Sequence, residues 1–591
     1  VKLLTGAVFL ALLPTAALAS EAGDTATVVA SPKTADSVPE QLDRDQRTAY
    51  RAVFDSIRAG KWTDARLQLA TMKPGPLHTI ALAEILTAKG SPKAELADIQ
   101  KILVEAPELP QAETLARLAK ARGAEALPQL PYVQAMAWQG GAPARKRAKS
   151  LKSDAVAADL ALRMQPFIKE DRGAEAQALL EATEGLSPEA LTEWQQKVAW
   201  IYYLAGDDAN ARAMAAKAAA GTGDWAVQAD WTAGLAAWRS EDCAGAAAAF
   251  ERVSTRAADV DMRAAGLYWG ARAEIRCAHP ERVDAKLRSA AQYDETFYGL
   301  LARQALGIKQ PADRAVARRT IGDWQALQRR PNVRVAAALK EIGEDSLASE
   351  VLKRQARIGD AAEYAPLVRL AGVLELPSAQ IWLAHNAPTG AAPALEARYP
   401  APHWTPDGGW RVDKALVYAH TLQESNFRTD VVSSAGAYGL MQIRPAAAAD
   451  IARAKGLRAD RAALTRPQTN MEIGQSYLEL LRDQGCTEGL LPKVIAAYNA
   501  GPVPVQAWNS LVKDGGDPLL YIESIPYWET RGYVVTVLRN YWIYEREGGK
   551  TVSPSRAALA QGLWPRFPGL PGASAVKVGK RKTPVELSRA D

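Results

Sequence analysis

The chain has 591 residues, too many for one hydrophobic core, and its 48% hydrophobic and 23% charged residues are those of an ordinary globular protein built from about two to four domains. A net charge of +6 is slight for this length and, with no basic motif interleaved with aromatics, it excludes a dedicated nucleic-acid binder while suiting a mildly anionic polymer or membrane surface. Five histidines scattered singly and three cysteines lacking a histidine partner pattern leave no metal centre to predict, and no cofactor is expected.

Residues 1–19 stand apart. Lys2, the apolar run Leu3 to Leu13, Pro14 and Ala17-Leu18-Ala19 read as a secretory signal peptide cut after Ala19. No later stretch approaches ~20 uninterrupted apolar residues, so no transmembrane segment is expected, and Ser20 in place of a cysteine indicates no lipid attachment. The compartment expected is the periplasm. Residues 20–41, rich in Ala, Ser, Thr, Pro and charge, read as a flexible leader.

From Leu42 to about residue 310, Ala-, Leu-, Arg- and Glu-rich segments of helical length alternate with short polar turns at Ala59-Gly60-Lys61-Trp62, Ala205-Gly206-Asp207-Asp208 and Arg239-Ser240-Glu241-Asp242. The last two turns lie 34 residues apart, the period of tetratricopeptide-like hairpins. Each hairpin buries its apolar face on the next, so a superhelical stack is expected. Trp231, Leu235 and Trp238 share one helix face and, with Trp194 and Trp200, are read as packing between helices. Cys243 and Cys277 would form a disulfide if they lie on neighbouring hairpins; packing as small apolar groups is the other reading.

Helical segments continue through 311–402 and end in the proline-rich stretch Asn386 to His403, which reads as a link. Residues 403–548 make a second domain of a size that folds alone. Beyond Gly548-Gly549, residues 549–591 read as a Pro/Gly-rich basic tail carrying Lys577, Lys580, Arg581 and Lys582. The fold class is therefore all-α: an N-terminal α-superhelix of stacked helical hairpins, open or closed into a ring, followed by a second helical domain.

In that second domain, Asp413 caps a helix in which Leu416, Ala419, His420 and Gln423 recur at three- and four-residue spacing up to Glu424. Glu424 falls in the last turn. The negative end of the helix dipole and apolar Phe427, Leu440, Met441 and Ile443 nearby both disfavour its anion, which is what a general acid requires. From its own residues alone, an ordinary solvated glutamate at a helix end would read the same.

Four stretches in this domain carry more: Gln423-Glu424-Ser425-Asn426-Phe427, Gly439-Leu440-Met441-Gln442-Ile443, Ala497-Tyr498-Asn499-Ala500-Gly501, and Ile525-Pro526-Tyr527-Trp528-Glu529-Thr530-Arg531-Gly532-Tyr533-Val534. In this order and spacing the chain closely resembles the family 1 soluble lytic transglycosylases, whose catalytic domain has the goose-type lysozyme fold. The resemblance implies a lysozyme-like catalytic domain that cleaves the β-1,4 bond between N-acetylmuramic acid and N-acetylglucosamine in peptidoglycan glycan strands. It implies that Glu424 is the single acid/base and that Tyr498 faces it. It further implies that Ser433, Gln442, Met441 and Tyr438 bind saccharide and that Asn499 and Glu529 shape the far wall of the groove, Glu529 with Arg531.

Glycoside cleavage needs protonation of the leaving oxygen and support of an oxocarbenium-like transition state. A retaining hydrolase adds a second carboxylate ~5 Å from the acid, and Asp430, Glu523 and Glu529 are the candidates by motif. The resemblance supplies no such nucleophile: the C6 hydroxyl of the muramic acid attacks and leaves a 1,6-anhydro end. Arg444 stands before Pro445 where the family usually has Met, either to contact a stem-peptide carboxylate or to face solvent. Two rivals remain: a muramidase, distinguished only by its product, and a non-catalytic cell-wall scaffold whose superhelix recruits wall-synthesis or secretion-machinery proteins.

Overall fold

The structure, a computed structural model, describes residues 38–151, 153–308, 321–392 and 394–579. The signal peptide expected at 1–19, residues 20–37 of the leader, and Lys580, Arg581 and Lys582 lie outside the described residues. Within them, 28 α-helices stand against four strands of two or three residues, so the fold is all-α.

The hairpins arise as their turns predict. Helix Pro188–Ala205 stops at Gly206, which takes the left-handed conformation, and Asp207 then accepts a hydrogen bond from the Asn210 N–H to start Asp208–Ala219. One repeat later Gly223–Arg239 stops at Ser240, and Asp242 caps Cys243–Arg256 by accepting from the Gly245 N–H. The next helix, Val260–Arg276, lies so close that a Cβ on Gly266 would sit 2.8 Å from the Ser254 nitrogen. Trp231 and Leu235 are buried as expected, and the Trp231 ring packs edge-on to Phe250 and Trp269 at 5.2 and 6.2 Å.

Cys243 and Cys277 are disulfide-bonded, 34 residues apart with Cα atoms 5.5 Å from each other, and the bond joins the first residue of helix Cys243–Arg256 to the residue that ends helix Val260–Arg276. Cys486 is a buried thiol. Closing a loop of that length should stabilise the chain by ~4 kcal/mol on loop entropy. Reduced protein should therefore unfold at a lower denaturant midpoint than oxidised protein, and equal midpoints would mean that the unfolded chain already constrains this loop.

Packing does not follow the expected boundary at residue 310. One core joins Leu42–Ala119 to Trp324–Ala397, and a second joins Ala157–Ala302 to Tyr399–Phe567. The first helix, Arg44–Arg58, packs on Pro331–Ile342, where the Glu341 carboxylate accepts from the Gln41 and Leu42 N–H groups. Met136–Trp138 pairs antiparallel with Asn386–Pro388, inside the stretch read as a plain link. A hairpin needs an apolar neighbour but not its sequence neighbour, and alanine-rich faces carry little to tell one from another.

The second core welds the superhelix to the domain that follows it. Buried Glu523 receives two hydrogen bonds from the Arg145 guanidinium, at 2.6 and 3.1 Å, and one from the Tyr298 hydroxyl at 2.6 Å. Tyr203 and Ser524 share a hydrogen bond of 2.6 Å, and Phe297 stacks on Trp542 at 5.0 Å. Residues 550–579 correct the expected tail. Pro554–Ala560 is a helix, Trp564–Pro565 pairs with Ala575–Val576, and Leu559, Trp564 and Phe567 are buried. These few apolar side chains are outnumbered by Pro and Gly in the composition, yet each fills the core.

Candidate active site

Helix Lys414–Ser425 starts as predicted, with the Asp413 carboxylate accepting from the Ala415 N–H, and ends where Asn426 and Phe427 both take positive φ, 50° and 59°. Two left-handed residues in succession turn the chain sharply and leave Glu424 in the last turn. Phe427 is buried against Tyr418 and Trp404.

Glu424 is half-buried, and its Oε1 accepts a hydrogen bond of 2.6 Å from the Tyr533 hydroxyl on helix Trp528–Glu547. Burial pushes its pKa up to about 7; the Tyr533 bond opposes that rise and the charge of Glu529 adds to it. One turn earlier His420 is fully buried, its Nδ1 lies 2.8 Å from the same Tyr533 oxygen, and burial pushes its pKa down to about 3, so the ring is neutral.

The loop facing this helix is held from behind by Asn470, a fully buried residue that motif reading missed. Its Oδ1 accepts from the Met441 N–H at 2.9 Å, and its Nδ2 donates to the carbonyls of Leu464 and Tyr438 at 2.9 and 3.2 Å. Gly439, at φ 72°, lies where a Cβ would come within 2.3 Å of Asn470 Nδ2 and 2.4 Å of the Leu464 carbonyl oxygen, so no side chain fits. Ser433 Oγ accepts from the Ala437 N–H, and Gln442 Nε2 donates to the carbonyls of Gly439 and Val431. Tyr438 bridges Val432 and Ile443 in short antiparallel pairs.

Several expected roles are redistributed. Tyr498 does not hydrogen-bond Glu424: its hydroxyl donates to the Met441 carbonyl at 2.7 Å, while its ring stacks parallel to Tyr533. Tyr533 makes the hydrogen bond to the glutamate, and Tyr498, its ring parallel to that of Tyr533, still feels the Glu424 charge, which adds to the rise that burial imposes on its hydroxyl. The Met441 side chain is wholly buried beside Gly474 and does not present itself to a saccharide. Asn499 Oδ1 accepts from the Thr530 hydroxyl at 2.6 Å, next to exposed Glu529.

Of the three candidate second carboxylates, Glu523 is consumed by Arg145 and Tyr298, Asp430 is exposed, and Glu529 alone acts electrostatically on Glu424. Arg531 does not pair with Glu529. It is buried, donates to the Ile525 carbonyl and lies 4.3 Å over the Trp200 ring. Arg444 is exposed. A cavity of about 390 Å³ sits at the other end of the Glu424 helix, lined by Asp413, Lys414 and Tyr418, and does not include Glu424. The spacing of His420 and Glu424 at i, i+4 and the presence of Tyr533 in the fourth stretch were the available signals for this trio.

Residues 407–519 match the family model described as Transglycosylase SLT domain. Over 160 residues the chain is 34% identical to the soluble lytic murein transglycosylase of Salmonella typhimurium, covering 27% of this chain and 24% of that relative. Over 132 residues it is 36% identical to the corresponding protein of Escherichia coli, covering 22% and 20%. The matches thus span about a quarter or less of these relatives' own length. Two solved structures share the fold, each with a TM-score of 0.52. An inactive glutamate-to-glutamine mutant of lytic transglycosylase Slt from Pseudomonas aeruginosa is 20% identical, covering 85% of this chain and 87% of that one. A 70-kDa soluble lytic transglycosylase in complex with bulgecin A is 18% identical, covering 88% and 99%.

Proposed function

We propose that this chain, whose residues 407–519 are a transglycosylase SLT domain, is a peptidoglycan lytic transglycosylase with Glu424 as its single acid and base. It cleaves the β-1,4 bond between N-acetylmuramic acid and N-acetylglucosamine and leaves a 1,6-anhydromuramic end. The observation that carries this reading is the state of Glu424: a half-buried carboxyl, its pKa pushed up to about 7, backed by a tyrosine donor and with no carboxylate among the described residues hydrogen-bonded opposite it. A glutamate-to-glutamine change inactivates the Pseudomonas structural neighbour.

In the first step Glu424 protonates the leaving oxygen, and Tyr533 steadies the anion that forms. With Glu523 spent on Arg145 and Tyr298 and no described carboxylate hydrogen-bonded to the Glu424–Tyr533 pair, the C6 hydroxyl of the same sugar serves as the nucleophile, held at high effective molarity by its own ring. Glu424 takes up the hydroxyl proton and the cycle closes. Ser433 keeps its hydroxyl hydrogen and Gln442 its Oε1 for the saccharide, with Tyr438, Asn499 and Glu529 along the same surface; Tyr498 holds the loop by its bond to Met441. Export to the periplasm behind the 1–19 signal peptide accords with the Cys243–Cys277 disulfide, a bond that persists in oxidising compartments. No described helix is long and apolar enough to cross a membrane.

Mass spectrometry of fragments released from purified sacculi tests the reaction. Products should be about 18 mass units lighter than hydrolytic ones, the mass of the water not consumed. Their yield should fall as pH rises through about 7, where Glu424 loses the proton it must deliver. Reducing ends, or heavy oxygen taken up from labelled water, would establish a muramidase and return Glu529 to contention as its second carboxylate.

A further inference from the structure

The Tyr533 hydroxyl has one hydrogen and stands between two partners, Glu424 Oε1 at 2.6 Å and His420 Nδ1 at 2.8 Å. Where it donates to one it must accept from the other. An ionised Glu424 offers only acceptors, so in that state the tyrosine donates to the carboxylate and His420 must present Nδ1–H. The other ring nitrogen decides whether it does. Nε2 is buried and has no hydrogen-bond partner among the described residues. A proton placed there would strand a buried N–H, whereas a proton on Nδ1 finds the tyrosine oxygen and leaves only a lone pair unmatched, the smaller penalty. The neutral ring carries one N–H and not two.

The rings of Tyr498 and Tyr533 pack against the imidazole, with centroids 4.5 and 5.8 Å away, so it cannot swing to another partner. We propose that His420 is a positioning residue for the reaction assigned above: its Nδ1–H holds the Tyr533 hydroxyl as a donor to Glu424 Oε1 and thereby reserves Oε2 as the oxygen that carries and delivers the transferable proton. The inference rests on Glu424 being the acid. As the bond from C1 to the leaving oxygen breaks, the Oε2 proton moves to that oxygen and the charge left on Glu424 is met at Oε1 by Tyr533. As the bond from C1 to O6 forms, the O6 proton returns to Oε2.

The groups facing this chain of three are few. Helix Trp528–Glu547 contributes Tyr533 and Glu529, helix Leu491–Ala500 contributes Tyr498, and behind Tyr498 stands Tyr477 of helix Pro467–Arg482, on which Arg444 acts. Burial pushes the tyrosine hydroxyls up, those of Tyr498 and Tyr533 well above the ordinary value, so near neutral pH the proton of Glu424 is the one that moves.

The test reads the resting protein first. With the five histidines labelled with 15N, the enclosed ring should be the Nδ1–H tautomer at neutral pH; an Nε2–H tautomer overturns the proposal outright. His420→Phe keeps a ring but removes the N–H. The Glu424 carboxyl, followed by 13C, should then titrate about one unit higher. The alkaline limb of kcat/KM should move with it, and kcat should fall roughly tenfold with KM within about twofold. His420→Asn puts an amide N–H at the Nδ1 position and should restore both the limb and kcat. Equal profiles for the two variants, or a loss confined to KM, would reduce His420 to a packing residue. Should His420→Phe fail to fold, the wild-type tautomer still decides. Tautomer and carboxyl titration need no substrate, so reducing products from wild-type protein would overturn the transglycosylase reading while leaving this result standing.

Discussion

Glu424→Gln should lose at least ~100-fold in turnover, because the amide keeps the shape and the Tyr533 contact but has no proton to give. Glycan binding should survive. The same substitution should make the protein more stable in alkaline solution. The folded-state pKa of Glu424, about 7, lies above its ordinary 4.5, so the folded chain keeps this proton when the unfolded chain has lost it. Stability therefore falls as pH rises from about 4.5 to about 7, and the ionised carboxyl costs the fold about 3 kcal/mol above that window. Below it both carboxyls are protonated and nothing separates the two proteins. Glutamine bears no such charge, so the variant's Tm should exceed that of wild type at pH 8 and match it at pH 4. More than about a tenth of wild-type activity would sink the assignment of Glu424 as acid, whatever the melting curves show.

A fragment of residues 400–550 should fail to fold. Its length suggests an independent domain, and cleavage by the fragment alone is the natural expectation from sequence. The shared core argues otherwise. Cutting at those ends removes Tyr203, Phe297, Tyr298, Leu559, Trp564 and Phe567, all buried in the same core as Leu538 and Trp542. At ~2 kcal/mol for each large side chain taken from its partner, the loss matches the whole stability of a typical domain, about 5–15 kcal/mol. The fragment also exposes Glu523, Ser524 and Arg531 without Arg145, Tyr203 and Trp200. Circular dichroism of the purified fragment should show no cooperative melt, in contrast to the full chain. A sharp transition together with cleavage of sacculi would mean that the superhelix contributes nothing to holding this domain together.

Helix ends were legible because their causes are local. Asp413 and Asp242 cap the helices that follow them, and Gly206 stops the one before it. Glu424 in a last turn among apolar neighbours was readable for the same reason. The tail was misread because Leu559, Trp564 and Phe567 are too sparse to show a period, although one large side chain in a pocket is enough to dock a segment.

Helix ends and the placing of Glu424 in a last turn thus follow from residues within a few positions of one another, where capping, periodicity and the helix dipole act. Which tyrosine reaches Glu424, which carboxylate is spent on an ion pair, and which hairpin closes on which were settled only by the packed chain. Tyr498 and Tyr533 are chemically alike and lie in adjacent motifs, and Glu523 and Glu529 are only six residues apart. Their roles diverge because a hydrogen bond is made or lost within about half an ångström, and positions that fine depend on side chains from Arg145 to Trp542 filling one shared core.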